Sequence, residues 1–154
     1  MNIKFLVTGK TADSYIREGI LEYQQRLSRY VNFEMEELII KGNPVNRELQ
    51  LEKEGLKILT AIKSTDFMML LDEKGEQFTS ENFSAKMASF QLNGTQRIVF
   101  VCGGAYGFNE KVYQRANGQL SLSKMTFTHQ MVRLLFIEQL YRAYTILRNE
   151  KYHH

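Results

Sequence analysis

His129 and Arg133 stand four residues apart at the head of the long apolar run that closes the chain. At that spacing they share one face of a helix near its N-terminus. A helix N-terminus carries partial positive charge and free N–H groups, so it favours anions. Two cation-capable side chains there are unfavourable unless a phosphate or carboxylate meets them. The plainer alternative is a surface His beside an Arg that pairs with an acid elsewhere. Just before them, the segment LSLSKMTFT, residues 120–128, supplies the hydroxyls of Ser121, Ser123 and Thr126 and the amine of Lys124, while Leu122 and Met125 could hold an apolar ring. Taken alone, Ser121 and Ser123 read as solvent-facing residues of a short edge strand, and Thr126 or Thr128 as a helix cap.

Two other segments have a comparable look. Leu71-Asp72-Glu73-Lys74-Gly75 and Gly103-Gly104-Ala105-Tyr106-Gly107 each follow an apolar run. The second contains G-G-x-x-G, which is neither the G-x-G-x-x-G dinucleotide fingerprint nor a phosphate-binding P-loop. It reads equally well as a tight turn that needs glycine and as the lining of a pocket. Nucleophilic and metal chemistry find less support. Cys102 is the only cysteine, His153-His154 is too terminal and too adjacent for a chelate, and no Ser–His–Asp or Cys–His arrangement is legible. Arg142 follows Glu138 by one turn, in the order that favours an ion pair.

The elements that position these residues follow from periodicity. Asn2–Thr8 reads as a buried strand closed by Gly9, and Asp13 as the cap of a helix marked by Ile16, Ile20, Leu21, Tyr23 and Leu27. Phe33–Ile40 alternates as a strand and ends at Gly42-Asn43-Pro44. A helix over about 45–62 follows, with Glu48, Glu52 and Glu54 beside Lys53 and Lys57 as its solvated face. Asp66–Asp72 is an uninterrupted apolar run suited to a central parallel strand, and Glu73-Lys74-Gly75 turns the chain. Thr79 or Ser80 caps a helix to Phe90, Arg97–Cys102 is a second central strand, Asn109 caps a short helix to about Ala116, and Gln119–Leu122 is a short strand. The last helix runs from about His129 to Arg148.

Alternating strands and helices predict one α/β domain over residues 1–154, with a mainly parallel open sheet and helices on both faces. In such sheets ligands bind beyond the carboxyl ends of the strands, so the three loops predict one common pocket. The last helix is apolar on most sides, which predicts a covering partner, most simply a second copy of the chain.

The net charge of +3 is modest for 154 residues, but it is unevenly placed. From residue 124 onward five Lys/Arg face two acids, leaving the first 123 residues neutral, and all three histidines lie in the same final segment. A local basic excess is the form an anion-binding face takes. No apolar stretch approaches the roughly 20 residues of a membrane span, and the first ten residues lack a signal-peptide core, so a cytoplasmic protein is expected.

In combination, LLDEKG from Leu70, FVCGGAYG from Phe100, LSLSKMTF from Leu120, His129, Arg133, EQLYRA from Glu138 and the terminal Tyr152-His153 resemble the RlmH-type ribosomal RNA large-subunit methyltransferases of the SPOUT superfamily. The resemblance spans essentially the whole chain. It implies a homodimer with a C-terminal trefoil knot, a rare exception to unknotted topology. It implies S-adenosylmethionine as cofactor and N3 of a pseudouridine in a 23S rRNA stem-loop as substrate. Carried over by position, the cofactor meets Leu71, Gly103 and Leu122, Ser123, Lys124, Met125, Thr126 and Phe127. The RNA side is then Arg142, Tyr152 and His153, the tail serving the partner's site, with His129 and Arg133 between cofactor and RNA. His129 becomes the candidate general base, its ordinary pKa near 6.5 suiting neutral pH, and Arg133 a steadying charge for the imide anion. Thr128 stands where the family often has Pro; a threonine can cap the helix instead. A reading from another class remains, a non-catalytic ribosome-binding factor using the basic C-terminal face. Cofactor binding separates the two.

Overall fold

In a computed structural model, which describes residues 1–42 and 45–154, five strands form one sheet in the order β2-β1-β4-β3-β5, every neighbouring pair parallel. The elements are β1 (Asn2–Thr8), α1 (Ser14–Leu27), β2 (Asn32–Leu38), α2 (Arg47–Ala61), β3 (Phe67–Gln77), α3 (Ser80–Leu92), β4 (Arg97–Cys102), α4 (Glu110–Arg115), β5 (Gly118–Ser121) and α5 (His129–Leu147). The predicted break at Asn43 and Pro44 lies outside the described residues.

Period-two alternation divides the core between the two faces of the sheet. Ile3, Phe5 and Val7 of β1, with Ile98, Phe100 and Cys102 of β4, pack beneath α1, α3 and α5. Leu6, Val99 and Val101 point the other way, toward Ile58 of α2 and Val112 of α4. Phe136 of α5 anchors the first layer, its ring 4.7 Å from both Phe5 and Phe100. The helices therefore lie on both faces, as predicted.

Four helices start on side-chain caps: Asn46, Thr79, Asn109 and Thr128 each accept a backbone N–H of α2, α3, α4 and α5 respectively. Asp13 holds the N-cap position of α1 but makes no capping hydrogen bond.

One expectation is corrected. Glu73-Lys74-Gly75 does not turn the chain into α3. It forms a bulge inside a longer β3, where Leu71 and Glu76 both register against Leu120. Gly75 permits this because a Cβ there would lie 2.6 Å from the Leu120 backbone. The covering of α5 is in part internal. Much of its apolar surface is covered within the same chain, by α1 on one side and α3 on the other. The α1 crossing is close at Gly19, where a Cβ would meet Leu134 Cδ1 at 2.9 Å.

Candidate active site

The row Cys102–Leu71–Leu120 fixes the site's geometry. These three residues register side by side, Cys102 last in β4, Leu120 next to last in β5 and Leu71 at the bulge of β3, which runs on to Gln77. The segments after β4 and β5 therefore leave one end of the sheet, beside that bulge, in line with the strand-end rule.

After β4 the chain makes a tight turn. Gly107 N donates to Gly104 O at 3.2 Å, Gly107 has φ +75°, and a Cβ on Gly103 would stand 2.8 Å from Gly107 O. The glycines are thus needed for the turn itself.

After β5 the segment is held from within. Ser121 Oγ donates to Ser123 O at 3.0 Å, and Ser123 Oγ accepts Met125 N–H at 2.9 Å. Ser121 is buried, not solvent-facing as its sequence context suggests. Leu122 and Phe127 line a cavity of about 170 Å³ together with Phe78, Phe83 and Leu135. Lys124, Met125, Thr126 and Phe127 are exposed, Met125 by 77% and Phe127 by 40%. Apolar side chains so presented at a strand end suit a ligand with an apolar or aromatic part.

Thr128 caps α5, accepting Met131 N–H at 3.2 Å, so the hydroxyl fills the role expected of it. His129 is the first residue of the helix and half-buried. Burial, then the neighbouring Arg133 charge, lower its pKa below the ordinary imidazole value; Glu54 acts in the opposite direction. The neutral imidazole at neutral pH is the form that can take a proton.

Arg133 requires a correction. It does not reach outward beside His129 to meet an anion. It is 0% exposed and donates to Thr8 O at 2.7 Å, Gly9 O at 3.2 Å and Thr11 Oγ1 at 2.8 Å. Its face of α5 is turned to the carboxyl end of β1, where the carbonyls beyond the last strand residue lack sheet partners. A planar guanidinium with several fixed donors suits that task.

Arg142, Tyr152 and His153 are brought together, but elsewhere. Arg142 Nη2 donates to Glu138 Oε1 at 2.7 Å, Tyr152 OH donates to the same oxygen at 2.8 Å, and the guanidinium lies 4.6 Å from the Tyr152 ring centre. His153 Nε2 meets Glu81 Oε1 of α3 at 2.8 Å, and this hydrogen bond holds the Glu81 carboxyl down to about 2. Thirteen residues of helix separate His129 from Arg142, about 20 Å at 1.5 Å per residue. Two groups result, one at the strand ends and one at the tail. Cys102 is no candidate nucleophile: burial pushes its thiol up to about 12. Among the described residues no group of three or more His, Cys, Asp or Glu is placed to hold a metal ion, and no helix is long and apolar enough to cross a membrane.

Residues 1–153 match the family described as "Predicted SPOUT methyltransferase". The chain belongs to that family. Proteins named ribosomal RNA large subunit methyltransferase H are similar along their whole length. Those of Parabacteroides distasonis, Christiangramia forsetii and Flavobacterium johnsoniae are 51%, 49% and 48% identical, over 100% of this chain and 99% of each relative. Membership in a SPOUT family accords with the five-stranded parallel sheet and its flanking helices.

Sequence reasoning missed one residue of this neighbourhood. Glu54, read as part of the solvated face of α2, is 6% exposed and packs against Gly104 of the turn after β4. The signal was its neighbour: a glycine inside a helix, Gly55, costs about 1 kcal/mol and marks a close approach.

Proposed function

We propose that this chain methylates ribosomal RNA of the large subunit, at N3 of a pseudouridine in a 23S rRNA stem-loop, with S-adenosylmethionine as methyl donor. The observation that carries the reading is the row Cys102–Leu71–Leu120, which sets the three predicted cofactor segments side by side. Relatives of the same length and nearly half-identical sequence bear the corresponding name.

The residues present fit such a cofactor. Leu71 stands at the bulge of β3 beside Cys102, the residue before Gly103, and Leu122, Ser123, Lys124, Met125, Thr126 and Phe127 form a loop that is preorganised by its own hydrogen bonds and still exposes apolar side chains. When bound, the cofactor supplies an electrophilic methyl group on a sulfonium. Gly103, lacking a side chain, lets Gly107 O close over it and keeps the turn after β4 compact. His129, neutral and half-buried, accepts the proton that N3 must lose, and positioning of two bound reactants supplies much of the remaining rate. Arg133 acts by holding the β1 end and α5 together, which fixes where His129 stands.

The distance between the strand-end and tail groups favours a homodimer. Arg142, Tyr152 and His153 lie about 20 Å along α5 from His129. In a dimer packed through the half-buried outer surface of α5, the tail serves the partner's site in the cytoplasm-facing ribosome complex. The non-catalytic alternative loses ground because Glu138 neutralises Arg142, the centre of its basic face.

The decisive test uses ribosomes from a strain lacking the gene, incubated with the purified chain and methyl-labelled S-adenosylmethionine, followed by mass spectrometry of rRNA nucleosides. Label in methylpseudouridine is expected. Calorimetry showing no S-adenosylmethionine binding by the folded chain would instead favour the non-catalytic factor.

A further inference from the structure

The loop between β1 and α1 is held more firmly than an exposed turn requires. Four successive carbonyls each accept a side-chain donor. Arg133 donates to Thr8 O at 2.7 Å and to Gly9 O at 3.2 Å, Gln130 Nε2 to Lys10 O at 3.0 Å, and Arg17 Nη2 to Thr11 O at 2.9 Å. The N–H groups are engaged as well. Thr11 N donates to Glu37 Oε1 at 2.8 Å and Ala12 N to Gln130 Oε1 at 3.0 Å. Gln130 thus bridges the Lys10–Ala12 backbone in both directions, as donor and as acceptor. A surface loop normally leaves such groups to water and stays mobile. This one is ordered before any ligand arrives, which lowers the cost of binding one.

The same bonds set the charge that the loop presents. Bare carbonyl oxygens repel a phosphate, but here donors cover them, and at Thr8, Gly9 and Thr11 the donor is a guanidinium. Lys10 and Arg17 are exposed, and among the described residues neither pairs with a carboxylate, unlike Arg26, Arg97 and Arg142. The strand order then decides between ligands. The segments given to the cofactor belong to β4, β3 and β5, whereas β1 lies on the other side of β4. Gln130 is the residue after His129, so the loop is tied to the point where cofactor and RNA meet.

We propose that the loop Lys10–Ala12 is a phosphate-binding element on the RNA side of the site. Lys10 takes a backbone phosphate near the target nucleotide, acting as a point charge on a fixed backbone. Gln130 is the positioning residue that sets this contact against His129. The proposal rests on the chain acting on ribosomal RNA. It places an unpaired cation at the strand ends, which Arg142 of the same chain, neutralised by Glu138 and about 20 Å along α5, does not supply.

The test measures binding of the full chain to ribosomes from a strain lacking the gene, over a range of KCl concentrations. Each phosphate contact adds about 0.7–0.9 to the slope of log affinity against log salt. Lys10→Ala is expected to flatten the slope by about that much and to weaken binding about threefold at fixed salt, with Lys10→Arg restoring both. S-adenosylmethionine binding by calorimetry should match that of the parent. Gln130→Ala should weaken ribosome binding too, and adding Lys10→Ala to it should cost little more, because both act through one contact. A slope kept in full by Lys10→Ala overturns the proposal. So does a Lys10→Ala chain that loses S-adenosylmethionine, which would place Lys10 on the cofactor. Full additivity of the two substitutions overturns the role of Gln130. A parent chain without salt-dependent ribosome binding overturns the ribosomal reading itself, an outcome distinct from an unchanged slope.

Discussion

Replacing Arg133 by Met separates a residue that acts on ligand from one that acts on the fold. Methionine fills much of the same volume but supplies no donor. The carbonyls of Thr8 and Gly9 and the hydroxyl of Thr11 would lose their partner, and Thr8 and Thr11 are both buried. At about 1 kcal/mol or more for each stranded buried acceptor, the loss starts near 3 kcal/mol. Release from the cost of burying a cation trims the upper end, which leaves about 3–5 kcal/mol. That is a large part of the 5–15 kcal/mol typical of a domain. At about 2–4 °C per kcal/mol for this size, Tm should fall by roughly 10 °C. Urea unfolding followed by circular dichroism measures it, at matched chain concentration because dimerisation would raise apparent stability. Arg133→Lys, which keeps charge but lacks the planar fork, should fall between the two. A Met variant within about 1 kcal/mol of the parent, yet with lost RNA or cofactor affinity, would refute the clamp.

Further outcomes follow from the same geometry. The pH profile of turnover should have its acid limb below pH 6.5, since burial lowers the His129 pKa, and His129→Asn should abolish both limb and turnover. Gly75→Ala should cost about 3 kcal/mol or more by denaturation, because the new methyl meets Leu120 backbone at 2.6 Å and neither strand can yield without breaking the bulge. Gly103→Ala should weaken S-adenosylmethionine binding by calorimetry at least about tenfold, since the turn must open to clear Gly107 O. Asp66 is buried, which alone would raise its pKa, yet hydrogen bonds from Arg97 and from Lys63 N–H hold it below the ordinary carboxyl value. Its contribution is full above an unfolded pKa of about 3.9 and is lost as pH falls through the lower folded value. Acid unfolding of Asp66→Asn should accordingly show a shallower dependence below pH 4.

What could be read from sequence was what short stretches encode. β1 and β4 announce themselves because a parallel strand covered on both faces is a continuous apolar run. The Thr128 and Asn109 caps are visible because a cap lies three residues from the N–H it accepts. The failures share a cause. Arg133 is polar at a core position because its acceptors lie at the end of β1, Thr8 being 125 positions away along the chain. Glu54 is buried because of Asn109, Gly104 and the course of a loop a third of the chain away. Nothing beside either residue records those partners. Gly55 and Gly75 did carry a trace, as glycines inside a helix and a strand that local propensity would not choose.

The order of strands also bears on how the chain comes to be folded. β1 is the first strand synthesised, and its inner neighbour β4 begins only at residue 97. The Arg133 clamp on the β1 end waits longer still, for the first turns of α5. For most of synthesis β1 and β2 therefore stand as a two-stranded ribbon with one edge unpaired, a species too small to be stable and open to wrong pairing. Contacts so distant along the chain make folding slow. An inner strand, next to the one on which the sheet is centred, is thus the one that must wait longest for its place.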